Sequence, residues 1–220
     1  MRSPLPRIVP LSLAACLLLT PALARGAEEP LGQRGRFELS LGPEGESLSG
    51  KGSLELRNLS PNFVQRLPLV LYPARFRTLD PEIDDVVFDR FYARWFQAGD
   101  MRLTSLESGG VTLKTQSVAD LPEGAGLWIS LPRPLAPGEW IRVELAFTLD
   151  VPERLGSFGH DGGRLVLEGG FLPYLPRTDH RSPPARGELE LVLAPTRDKD
   201  LETWSGVLGG ARVATKAGAE

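Results

Sequence analysis

The sequence has a single cysteine in 220 residues, two histidines and two methionines. One cysteine cannot form an internal disulfide, so a disulfide-stapled scaffold is excluded. Two histidines and one cysteine rule out a zinc finger or a Cys/His cluster. Charge is nearly balanced, with 25 Lys and Arg against 28 Asp and Glu. No basic stripe or acidic run stands out, and a nucleic-acid partner is therefore not expected. Catalytic signatures are also missing. There is no H-E-x-x-H, no G-x-S-x-G and no phosphate-cradling glycine loop ahead of a helix.

Glycine and proline are abundant, at 24 and 20 residues. Turns between short strands would account for them. Alternation of apolar and polar residues supports that reading. Phe37, Leu39 and Leu41 show it, as do Leu54 and Leu56, then Leu67, Leu69 and Leu71. Val111 and Leu113, the set Leu127, Ile129 and Leu131, and finally Leu189, Leu191 and Leu193 repeat it. The longest run is Ile141, Val143, Leu145, Phe147 and Leu149. A period of two puts alternate side chains on opposite faces, one buried and one wet. Gly42-Pro43-Glu44-Gly45, Ser108-Gly109-Gly110, Pro122-Glu123-Gly124, Ala136-Pro137-Gly138 and Asp161-Gly162-Gly163 read as the intervening turns. The pattern predicts an all-β, antiparallel, saddle-like sandwich.

One segment has a different period. Phe88, Phe91, Tyr92, Trp95 and Phe96 recur at three and four residues, with Asp89, Arg90 and Arg94 between them. This predicts one short amphipathic helix. Its aromatic face either caps the sandwich or stands exposed as a platform for a sugar or protein. In the second case Phe91, Tyr92 and Trp95 are the candidate partner-binding residues.

The N-terminus has the form of an export signal over residues 1–24. Arg2 and Arg7 precede an apolar stretch from Ile8 to Leu19, and Ala22-Leu23-Ala24 is a small-x-small cleavage site. The stretch is too short to span a bilayer comfortably. Export to the periplasm or the extracellular space is the expectation. Leu13-Ala14-Ala15-Cys16 also fits a lipobox, and lipidation of Cys16 would be the one route to a membrane. The remainder divides into a linker over 25–35, the β domain over 36–208 and a fraying tail over 209–220.

Candidate chemistry is sparse. His160 precedes a turn and His180 lies in the proline-rich loop from Arg177 to Arg186, so both read as solvated loop residues. Ser157, His160 and Asp161 are sequence neighbours, which does not make a triad. The cluster Asp80, Glu82, Asp84 and Asp85 lacks the EF-hand pattern; an irregular calcium site and a plain solvated loop both fit it. No catalytic residue, metal ligand or cofactor is assigned.

Several segments, taken in order, resemble the N-terminal domain of the aminopeptidase N family of gluzincin metallopeptidases, in its bacterial aminopeptidase-like branch. Asn58-Leu59-Ser60 is similar to the family's strand end, and Leu69-Val70-Leu71-Tyr72-Pro73 to its L-x-L-Y-P strand. Leu131 to Glu139 resembles the L-x-x-P-L-x-P-G-E turn. Phe158-Gly159 and Gly170-Phe171-Leu172-Pro173-Tyr174-Leu175-Pro176 resemble the later F-G and W-Y-P stretch, here with Phe171-Leu172-Pro173 in place of W-Y-P. The resemblance spans about Leu39 to Gly209. It implies a saddle-shaped β domain of the kind that precedes a thermolysin-like catalytic domain. The G-x-M-E-N and H-E-x-x-H motifs of that domain are not in this sequence. The expectation is a non-catalytic accessory or truncated form, or a domain from a split gene; a carbohydrate- or protein-binding module is the alternative. A separate catalytic chain, or a second copy joined through unpaired strand edges, is the expected kind of partner.

Overall fold

The computed structural model describes residues 31–42, 46–156, 158–161, 164–167 and 170–193. The segment read as an export signal over 1–24, Cys16 and the tail over 209–220 lie outside them. Eleven strands are described: β1 (Gln33–Leu41), β2 (Ser47–Arg57), β3 (Val64–Val70), β4 (Asp100–Ser108), β5 (Val111–Thr112), β6 (Thr115–Ser117), β7 (Gly126–Leu135), β8 (Trp140–Asp150), β9 (Phe158–Asp161), β10 (Arg164–Leu167) and β11 (Gly187–Leu193).

A six-stranded sheet runs β11-β1-β2-β8-β4-β5, a three-stranded sheet runs β3-β7-β6, and β9 pairs with β10. All pairings are antiparallel except β1 with β11, which is parallel. Strand alternation sets the layers. Phe37 and Leu39 of β1, Leu54 and Leu56 of β2, and Val143, Leu145, Phe147 and Leu149 of β8 are all buried. The residues between them carry the wet face, where Arg34 pairs with Glu55, Arg36 with Glu190 and Lys51 with Glu38. Leu67 and Leu69 of β3 and Leu127 and Ile129 of β7 meet the inner face of the large sheet in one apolar core. Burying each such side chain stabilises the fold by about 2 kcal/mol.

The all-β class is as the alternation predicts. Three details differ. β1 opens at Gln33, inside the segment read as linker. β4 escapes the period-two pattern because its register shifts between Leu103 and Ser105. The bulge spaces the buried Met101 and Leu106 five residues apart, an odd interval that a regular strand would send to opposite faces. The third is the aromatic segment, which forms a single 3₁₀ turn, Phe88–Arg90, and not a nine-residue helix. The Phe91 carbonyl, which would accept from Trp95 in a helix, accepts instead from the Leu155 N–H at 2.8 Å. Phe88, Tyr92 and Phe96 still follow one another ring to ring, at 5.1 and 5.5 Å, without helical backbone to space them.

A second 3₁₀ turn, Tyr72–Arg77, follows β3 directly. Pro73 at its start suits the position, since the missing N–H falls where a helix has no partner for it. Pro68 lies in β3, which is an edge strand of the small sheet; there an absent N–H breaks no ladder.

Candidate functional site

The two segments Tyr72–Arg77 and 170–176 are far apart in sequence and adjacent in space. Val70 and Tyr174 bridge them. The Val70 N–H donates to the Tyr174 carbonyl at 2.9 Å, and the Tyr174 N–H to the Val70 carbonyl at 3.1 Å. Gly170, at φ +90°, packs against both tyrosines. A Cβ there would sit 3.1 Å from Tyr174 Cε1 and 3.2 Å from Tyr72 Cβ. The backbone turn and the close approach both call for glycine.

These segments, the loop 177–186 and the starts of β1 and β11 surround a concavity of about 910 Å³. Its walls are mainly apolar, with Val70, Leu121, Leu172 and Pro184 among them. Gln33 fixes its floor. The Gln33 Nε2 donates to the Ala185 carbonyl at 2.9 Å, and its Oε1 accepts from the Leu175 N–H at 2.8 Å. One buried side chain thereby joins β1 to both loops.

Polar groups at the concavity are few and ordered. Arg75 Nη1 donates to the Tyr72 hydroxyl at 3.2 Å, and its Nη2 pairs with Asp80 at 3.1 Å. Tyr174 is 8% exposed. Burial first, and the neighbouring Tyr72 second, push its hydroxyl up to about 12. The Tyr174 hydroxyl therefore stays protonated through neutral and moderately alkaline pH.

His180 corrects the sequence reading. It is buried rather than solvated. Its ring stands edge-on to Trp128, with centroids 4.6 Å apart, and its Nε2 lies 2.9 Å from the Leu127 carbonyl. A carbonyl oxygen only accepts, so Nε2 carries the proton and is committed to the fold. Arg66 covers the same indole at 4.3 Å. His180 thus holds the proline-rich loop against β7. Nothing in the sequence signalled this, because Leu127, Trp128 and His180 share no local pattern.

The other predicted residues lie elsewhere. Tyr92 is buried, Phe91 half-buried and Trp95 exposed, so the three do not present one aromatic face. Arg154 covers Phe91 at 4.9 Å, Tyr92 at 5.9 Å and Phe76 at 5.0 Å. Burial raises the Tyr92 hydroxyl, and the Arg154 charge opposes that rise. In the acidic cluster, Asp80 accepts from the Glu82 N–H besides holding Arg75, and Asp84 accepts from the N–H groups of Val86 and Val87. These carboxylates shape the loop that leads into the 3₁₀ turn. Ser157 lies outside the described residues, and His160 sits in β9. Among the described residues no group of three or more His, Cys, Asp or Glu is placed to hold a metal ion.

No protein-family model matches the chain, and no curated protein matches it. Solved structures do resemble it. The crystal structure of a mutant M1 zinc metallopeptidase from Deinococcus radiodurans aligns at a TM-score of 0.44 with 20% identity, over 74% of this chain and 31% of that one. The same kind of mutant bound to a Tyr-Ser-Ala substrate gives 0.43 and 20%, over 72% and 31%. A further M1 zinc metallopeptidase structure from that organism gives 0.35 and 19%, over 56% and 21%. The chain spans less than a third of the length of these structures.

Proposed function

We propose that this chain is an exported, non-catalytic β domain that serves a zinc metallopeptidase of the aminopeptidase N type as an accessory or substrate-shaping part. One observation carries the reading. Two of the sequence segments that resemble that family's N-terminal domain, 67–76 and 170–176, pair through Val70 and Tyr174 and together wall the concavity. That residues marking the resemblance line one concavity supports a recognition role for it. The absence of H-E-x-x-H from the sequence and the export-signal pattern at its start support the same reading.

The test is zinc-dependent hydrolysis of leucine 4-nitroanilide by the purified chain, alone and mixed with a catalytic domain of the aminopeptidase N type. The expected result is no turnover alone and a changed KM for the mixture. Chelator-sensitive turnover by the chain alone would falsify the non-catalytic reading.

Trp95 favours a second reading, a protein- or carbohydrate-binding module. It is 63% exposed and lies beside Arg94, whose guanidinium is 5.8 Å from the indole centroid. Exposed aromatics of this kind anchor partners. Trp95→Ala would abolish binding in a glycan or peptide array under this reading and leave it intact under the first.

A further inference from the structure

We propose that the concavity between Tyr72 and Tyr174 binds a small organic acid, its apolar body against Val70, Leu121 and Leu172 and its carboxylate against the two tyrosine hydroxyls and Arg75. This deepens the recognition role proposed above and rests on it.

Size and lining fit such a ligand. A volume of about 910 Å³ falls in the range of small-molecule sites, which combine apolar walls with a few convergent polar groups. The sign of the polar groups is one-sided. Arg75 and Arg181 line the concavity, and among the described residues no aspartate or glutamate does.

The donors are specific. Tyr174 is 8% exposed, and it is one of the residues that line the concavity. Its high pKa keeps it a donor. The Tyr72 hydroxyl already accepts from Arg75, which leaves its own proton to donate outward. Arg75 is fixed by Asp80 and Tyr72, and a guanidinium has further N–H groups beyond those two bonds. Three donors among the lining residues, with Arg181 beside them, match a carboxylate better than a neutral acceptor, because hydrogen bonds to an ionised acceptor are about twice as strong.

Isothermal titration of the full chain tests this with a series of acids from acetate to decanoate, together with 4-phenylbutyrate, each against its neutral amide. The expected result is saturable binding of the longer acids, with each amide at least about tenfold weaker, the size of one charge-assisted hydrogen bond. Tyr174→Phe, which removes only the hydroxyl, weakens the acid by about tenfold and the amide by less. Arg75→Gln does the same. A matching urea midpoint for each variant separates lost binding from lost folding. Failure of every acid to bind at millimolar concentration overturns the proposal, as does equal affinity for acid and amide. The nitroanilide assay is independent of both results, so failure of the ligand assignment and failure of the non-catalytic reading are told apart.

Discussion

The Asn58 side chain donates to the Leu135 carbonyl at 3.0 Å and so ties the end of β2 to the end of β7. Its Nδ2 also donates to the Asn62 carbonyl at 2.8 Å, and its Oδ1 accepts from the Ser60 N–H at 2.9 Å. With 1% exposure, the amide has exchanged water for three protein partners. Asn58→Ala strands two carbonyls and one N–H. The expected loss is about 3 kcal/mol of unfolding free energy, read from urea denaturation. Asn58→Asp is expected to be as harmful, because a carboxylate meets two carbonyls where donors are needed.

Gly52 sets how closely β1 approaches β2. A Cβ at this position would lie 2.0 Å from the Arg36 carbonyl oxygen, which is backbone and cannot rotate away. Gly52→Ala is expected to destabilise the domain by about 3 kcal/mol or more, the upper end for overpacking. Thermal unfolding checks this. An unchanged midpoint would mean that the ladder from Gln33 to Leu41 is looser than its register implies.

The Tyr174 hydroxyl has a folded pKa of about 12, above its ordinary value of 10.0. Below pH 10 both folded and unfolded chains keep the proton, and the group contributes nothing to pH dependence. Above pH 10 the unfolded chain loses it first, so stability falls as pH rises towards 12. Tyr174→Phe should flatten that slope without altering stability at pH 7 to 9. Urea midpoints measured from pH 8 to pH 12 for both proteins decide the point.

Trp95 is the exposed indole among those described, whereas Trp128 and Trp140 are half-buried beneath arginines. Trp95→Phe is expected to shift native emission to the blue and to reduce acrylamide quenching, with little change in stability. Quenching unaltered by the substitution would place Trp95 against a neighbour and would remove the basis of the binding-module reading.

Strands were legible where a single rule governed them. β8 shows the rule at its clearest, with Val143, Leu145, Phe147 and Leu149 all buried and Arg142, Glu144 and Thr148 all exposed. β4 was not legible because its bulge hides the period. The aromatic segment misled for a related reason: side-chain stacking kept a helical spacing that the backbone abandoned at Phe91. The concavity was illegible as a site, since Gln33, Tyr72, Tyr174 and His180 meet only through the fold. A trace was present all the same. Tyr72 and Tyr174 both lie in the segments that carried the family resemblance, and they turned out to be neighbours.

The parallel pairing of β1 with β11 has a consequence for the order of events in synthesis. Arg36 and Glu190, joined across that pair, are 154 residues apart. A chain made from its N-terminus has β1 and β2 early, yet β8 arrives only after residue 140 and β11 after residue 187. Closing loops of that length precedes any gain from the contacts, so folding is slow and occurs late. Until Leu193 has emerged, the outer edge of β1 stays open to other strands. A cell making this protein therefore has to shield a chain that already reaches to β11 rather than a short nascent one.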